Sequence, residues 1–72
     1  MKSLFIGKKH LFVSQTHLSL NGTCIGYIDP TERRGVYMIS LRSDFGEDSE
    51  LCSGGKKAAM MRLLEIYEKA IA

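Results

Sequence analysis

The sequence predicts an α+β domain, a small antiparallel β-meander of three to five strands with one C-terminal amphipathic α-helix packed on one face. Three observations carry this. Short apolar, β-prone runs punctuated by turn residues fill positions 1–42. Asn21-Gly22 lies between two of these runs, and Asn-Gly is a strong hairpin signal because a type I′ turn needs positive φ at both central residues. Apolar residues then recur at i, i+3, i+4 and i+7 through 54–72, the helical period. The 72 residues are read as one domain: a meander over 1–42, an acidic loop with a brief strand over 43–53, and a helix over 54–72.

Leu4-Phe5-Ile6 and Leu11-Phe12-Val13 flank Gly7-Lys8-Lys9 and form the first expected hairpin. His17 to Leu20 and Thr23 to Ile28 flank Asn21-Gly22 and form the second, with Leu20 opposite Thr23 and Leu18 opposite Ile25. Asp29-Pro30 and Arg34-Gly35 bracket a loop leading into Val36 to Leu41, the clearest strand. Leu51-Cys52 reads as a brief edge strand, and Ser53 stands where a helix N-cap belongs. Met60, Leu63, Leu64, Tyr67 and Ile71 make the core stripe of the helix. Arg62, Glu65 and Lys69 fall opposite, with Glu65 and Lys69 spaced to pair.

Alternation puts apolar groups on both faces of this sheet. Tyr37, Ile39 and Leu41 oppose Val36 and Met38; Phe5 and Phe12 oppose Leu4, Ile6, Leu11 and Val13; Leu18, Leu20, Ile25 and Tyr27 oppose Cys24 and Ile28. One helix, about 10 Å wide, covers two or three strands spaced about 4.8 Å apart. The remainder is curled on itself, left partly exposed, or buried against another chain. Large uncovered apolar patches mark interfaces, so Val36, Met38, Cys24 and Ile28 are candidate protein-interface residues. Met61, about 100° round the helix from Met60, joins them as an adaptable apolar spot.

Composition narrows the chemistry. Ten Lys and Arg against eight Asp and Glu give a net charge of +2, far milder than the basic face of a typical nucleic-acid binder. No apolar run reaches the length of a signal peptide core or a membrane span. The expectation is therefore a cytoplasmic protein without membrane contact, its Cys24 and Cys52 free thiols. His10, His17, Cys24 and Cys52 are separated by seven, seven and twenty-eight positions. Structural zinc sites use close pairs, so no metal and no cofactor is expected. Nothing arranges a nucleophile with a base.

Ser53-Gly54-Gly55-Lys56-Lys57 presents glycines and lysines at a helix start, a candidate anion contact. It is not a Walker A loop, because Glu50 stands at the earlier glycine position and Lys57 follows Lys56. Arg33, Arg34 and Arg42 extend the candidate anion and nucleic-acid set. The layout from Gly26-Tyr27 to Ile71, with short strands, a basic turn, an aromatic-containing strand and a Gly-Lys turn into an Ala-rich helix, resembles the arm-binding domains of phage integrases and the plant-type AP2 domain. That resemblance implies major-groove reading by Arg, Lys and aromatic residues on the exposed sheet face. The chain departs from it in having no Trp, in the apolar last strand, and in the acidic run Asp44, Glu47, Asp48, Glu50, which repels phosphate.

The expected function is a small non-enzymatic protein-binding domain. It would act as an accessory regulator or inhibitor of a larger protein, of the kind found on phages or mobile elements, and would be able to form a homodimer. The alternative is a small DNA- or RNA-binding module. Protein binding requires an apolar sheet face with scattered charge; nucleic-acid binding requires basic groups converging on one face.

Overall fold

A computed structural model describes residues 2–72. The strands are β1 (Lys2–Ile6), β2 (Lys9–Ser14), β3 (His17–Leu20), β4 (Thr23–Pro30), β5 (Tyr37–Leu41) and β6 (Ser49–Cys52), followed by the helix α1 (Gly55–Ile71). They form one antiparallel sheet in sequence order, each strand beside the next. The architecture is the expected α+β meander with one helix, but with six strands rather than three to five. The sixth is the brief edge strand expected at Leu51-Cys52, which begins at Ser49 and is reached through a 3₁₀ turn at Ser43–Phe45. Glu50 points to the helix side of β6, and Arg62 of α1 takes it up through two hydrogen bonds of 2.7 and 3.1 Å. That pairing lets an acidic segment serve as a strand beneath a helix.

The Asn21-Gly22 hairpin forms as the turn chemistry requires, with φ of 50° and 89° at the two residues. The Asn21 side chain also accepts the His10 N–H at 2.9 Å. Beyond the turn, Leu20 faces Thr23 as expected, but Leu18 faces Gly26 rather than Ile25, because a β-bulge shifts the register. A bulge adds a residue to one strand, and a one-residue slip turns every later side chain over. Tyr27 therefore lies on the face away from α1, and Ile28, expected on that face, is fully buried opposite Ile39. The bulge is held by Arg42, whose N–H donates to the Ile25 carbonyl at 3.0 Å and whose Nη1 donates to the Cys24 carbonyl at 3.4 Å.

Helix α1 crosses the sheet on a diagonal. Its first residue donates an N–H to the Gly35 carbonyl at 3.0 Å, beside the start of β5. Near its other end, Glu68 pairs with Lys9 at the start of β2, the opposite end of the sheet. The Gly35 bond satisfies an orphan donor of the first helical turn, so Ser53 is not the N-cap. Gly54 takes that position in a left-handed conformation, with no side-chain cap, and the helix begins at Gly55. Ala59, Met60, Leu63 and Leu64 are buried, while Tyr67 packs edge-on against Phe45 at 5.0 Å. Ile71, expected on the stripe, is 55% exposed, three residues past the Glu68 contact. Glu65 bonds Arg62 at 3.1 Å rather than pairing with Lys69.

One core results. Leu11, Val13 and Leu18 of β2 and β3 are as completely buried as Ile28 and Ile39 beneath the helix, and all belong to the same cluster. A single helix is too narrow to cover six flat strands. The sheet must therefore curl around α1, leaving the helix side concave and the other side convex.

Candidate functional site

The convex face is defined by the register. Ser3 and Phe5 stand beside His10 and Phe12 of β2, followed by His17 and Ser19, Cys24 and Tyr27, Met38 and Ser40, and then Ser49 and Leu51. The strand positions on this face hold no Lys or Arg and a single carboxylate, Asp29. Three large apolar side chains stand out from it: Phe5 at 68% exposure, Leu51 at 61% and Met38 at 37%. Met38 and Leu51 are direct cross-strand partners, so they make one apolar spot at the β5–β6 side.

The β1–β4 side of the face is aromatic. The rings of Phe5 and His10 stack with centroids 4.3 Å apart and planes 9° from parallel. His10 is tilted against Phe12 at 6.1 Å, and its Nε2 lies 2.5 Å from Ser3 Oγ. His17 meets Tyr27 edge-on at 5.1 Å. These contacts orient the rings against one another across neighbouring strands.

The candidate interface residues separate. Met38 and Cys24 lie on the convex face, Cys24 half-buried with its thiol directed at the Gly26 carbonyl at 3.6 Å. Val36 sits in the loop before β5, its carbonyl accepting from the Thr31 hydroxyl at 2.7 Å. Ile28 belongs to the core and offers no surface. Met61 is exposed, but on α1, which packs on the other side of the sheet. Sequence reasoning missed Leu51 and Tyr27 as companions of Met38. Cross-strand register was the signal for Leu51, whereas the bulge concealed Tyr27.

The candidate anion residues separate as well. Gly35 and Gly55, joined by their backbone bond, bring Arg33 and Arg34 to the same end of the molecule as Ser53, Gly54, Gly55, Lys56 and Lys57. Lys56 Nζ lies 6.0 Å from the centre of the Tyr37 ring. Arg42 is elsewhere, holding the bulge and approaching Asp44 at 3.4 Å. The basic groups thus gather at a loop end, not on the sheet face where the resemblance to integrase arm-binding and AP2 domains implied them.

The Arg62–Glu50 pair, which ties α1 to β6, is structural. Hydrogen bonds from Arg62, opposed by partial desolvation, hold the Glu50 carboxyl below its ordinary range. Bonds to Glu50 and then Glu65 push the Arg62 guanidinium further up. Among the described residues no three His, Cys, Asp or Glu side chains group as metal ligands, and no pocket opens. Among the described residues no helix is long and apolar enough to cross a membrane. Comparison with protein-family models, curated proteins and solved structures finds no match to the chain.

Proposed function

We propose that this chain is a non-enzymatic binding module that docks its convex sheet face onto another protein, as an accessory regulator or inhibitor of that protein. One observation carries the reading: a sheet face bearing Phe5, Phe12, Tyr27, Met38 and Leu51 has no Lys or Arg at any strand position. Interfaces are depleted of charge at their centres and enriched in aromatic residues and Met. Because the face is convex and nearly neutral, its complement is an apolar, weakly charged concavity on a larger protein. Two convex faces would touch over too small an area, which disfavours a second copy on this face.

The test is retention of a partner by the tagged chain from lysate of its source cells, beside Met38→Asp/Leu51→Asp. It is run with and without nuclease at about 0.1 M and 0.5 M salt, conditions that weaken phosphate contacts steeply. A stoichiometric protein band that survives nuclease and salt and is lost in the double variant supports the reading. A band kept by the double variant overturns it.

The second reading, nucleic-acid binding, is favoured by the convergence of Arg33, Arg34, Lys56 and Lys57 at one end. It takes first place if capture disappears with nuclease or salt.

A further inference from the structure

Strand β1 is an edge of the sheet, and its pairing with β2 decides where its backbone points. The two strands join through a two-residue loop, with Ile6 opposite Lys9. The residues that close such a hairpin exchange both hydrogen bonds, and hydrogen-bonded pairs then alternate along the ladder. Ile6, Leu4 and Lys2 therefore bond to β2, while Ser3 and Phe5 do not. His10, opposite Phe5, turns its own carbonyl toward β3, accepting the Asn21 N–H at 2.8 Å. The N–H and C=O groups of Ser3 and Phe5 consequently project outward along the free edge.

Natural sheets blunt such edges with charge, proline, bulges or cover. The other edge, β6, is blunted: it is four residues long, its Glu50 points inward to Arg62, and α1 packs beside it. On β1 the one such device is the charge of Lys2 at its first position. Its sequence from Ser3 to Ile6 is uncharged and free of proline, Phe5 is 68% exposed, and Leu4 and Ile6 are only half-buried at the rim of the core.

We propose that β1 pairs antiparallel with β1 of a second copy about a two-fold axis through Leu4. This register matches the outward groups: each Ser3 N–H donates to the second copy's Phe5 carbonyl, and each Phe5 N–H donates to the second copy's Ser3 carbonyl. Four backbone bonds form. Leu4 meets the second copy's Leu4 in a non-hydrogen-bonded pair, where side chains approach most closely. Lys2 falls opposite Ile6, so no charge directly opposes a like charge. The strand is thus self-complementary in hydrogen bonding and free of like-charge contact, and that favours a second copy as the occupant. Five residues a side bury less than the roughly 800 Å² per partner of a standard interface, so dissociation falls in the micromolar range or weaker. This pairing leaves Met38 and Leu51 untouched, because it uses the opposite edge of the sheet, and it meets the convex face only at Phe5.

Sedimentation of the purified full chain across about 1 μM to 1 mM tests it, with amide hydrogen exchange at both limits. A concentration-dependent shift from 8.1 kDa to twice that mass is expected. Exchange at Ser3 and Phe5 slows at least tenfold with concentration, whereas the Leu4 amide is slow throughout. Ser3→Pro removes the outward N–H together with the hydroxyl that meets His10, and Ser3→Ala removes the hydroxyl alone; the proline variant stays monomeric with the melting temperature of the alanine variant, which still dimerises. Met38→Asp/Leu51→Asp dimerises normally. A monomer at every concentration overturns the proposal, as does a dimer that Ser3→Pro leaves intact or in which Ser3 and Phe5 exchange unchanged.

Discussion

Gly26 lies directly beneath Leu63. A Cβ on Gly26 would come within 3.0 Å of Leu63 Cδ2 and 2.3 Å of the Ser40 carbonyl oxygen. The residue sits in the bulged stretch of β4, beneath the helix. Leu63 can turn aside, but the Ser40 carbonyl belongs to β5 and cannot move without opening the ladder.

Gly26→Ala is therefore expected to destabilise the domain by about 1–3 kcal/mol, the usual cost of forcing extra volume into a packed core. Urea denaturation of the variant measures it. A midpoint equal to the parent's would contradict the close approach.

Asn21→Ala loses a residue suited to positive φ and the acceptor of the His10 N–H. The expected cost is about 1–2 kcal/mol, with Asn21→Gly losing less because the backbone conformation stays free. Thermal melts of the two variants give the order.

Glu50 is held below its ordinary value of 4.5 by Arg62. A depressed folded-state value means that the stabilising contribution is complete above the unfolded value and is lost as pH falls through the folded one. The melting-temperature gap between the parent and Glu50→Gln should therefore be constant above about pH 5 and close below the ordinary carboxylate value. Added salt should narrow the gap, because both side chains are partly exposed. A gap that widens on acidification would refute the assignment.

Arg33→Ala/Arg34→Ala removes half of the basic loop end without touching the convex face. Partner capture is expected to match the parent's, and stability to stay within about 0.5 kcal/mol, as for ordinary surface changes. A loss of salt-sensitive affinity for an oligonucleotide, read by fluorescence anisotropy, would instead promote the nucleic-acid reading.

Much of the fold was legible in local chemistry. Asn21-Gly22 dictated a hairpin, the alternation in Tyr37 to Leu41 dictated a half-buried strand, and the spacing of Met60, Leu63 and Leu64 dictated the buried helix face. Period and turn stereochemistry act over a few residues, so they appear directly in the sequence. The opposition of Phe5 and Phe12 to Leu4, Ile6, Leu11 and Val13 was readable for the same reason.

The rest was decided in three dimensions. The bulge opposite Leu18 moved Ile28 into the core and Tyr27 out of it, and its stabilising group, Arg42, comes from a strand end eighteen positions after Cys24. The Gly35 carbonyl replaced Ser53 at the helix start, and Arg62 fixed Glu50 on the helix side of the expected edge strand. Each effect joins residues distant in sequence, where no local period or propensity records the contact. The sequence by itself determined the elements and most of the inward faces. Curling six strands round one helix decided which face remains open, because only packing settles how far a single helix can cover a sheet.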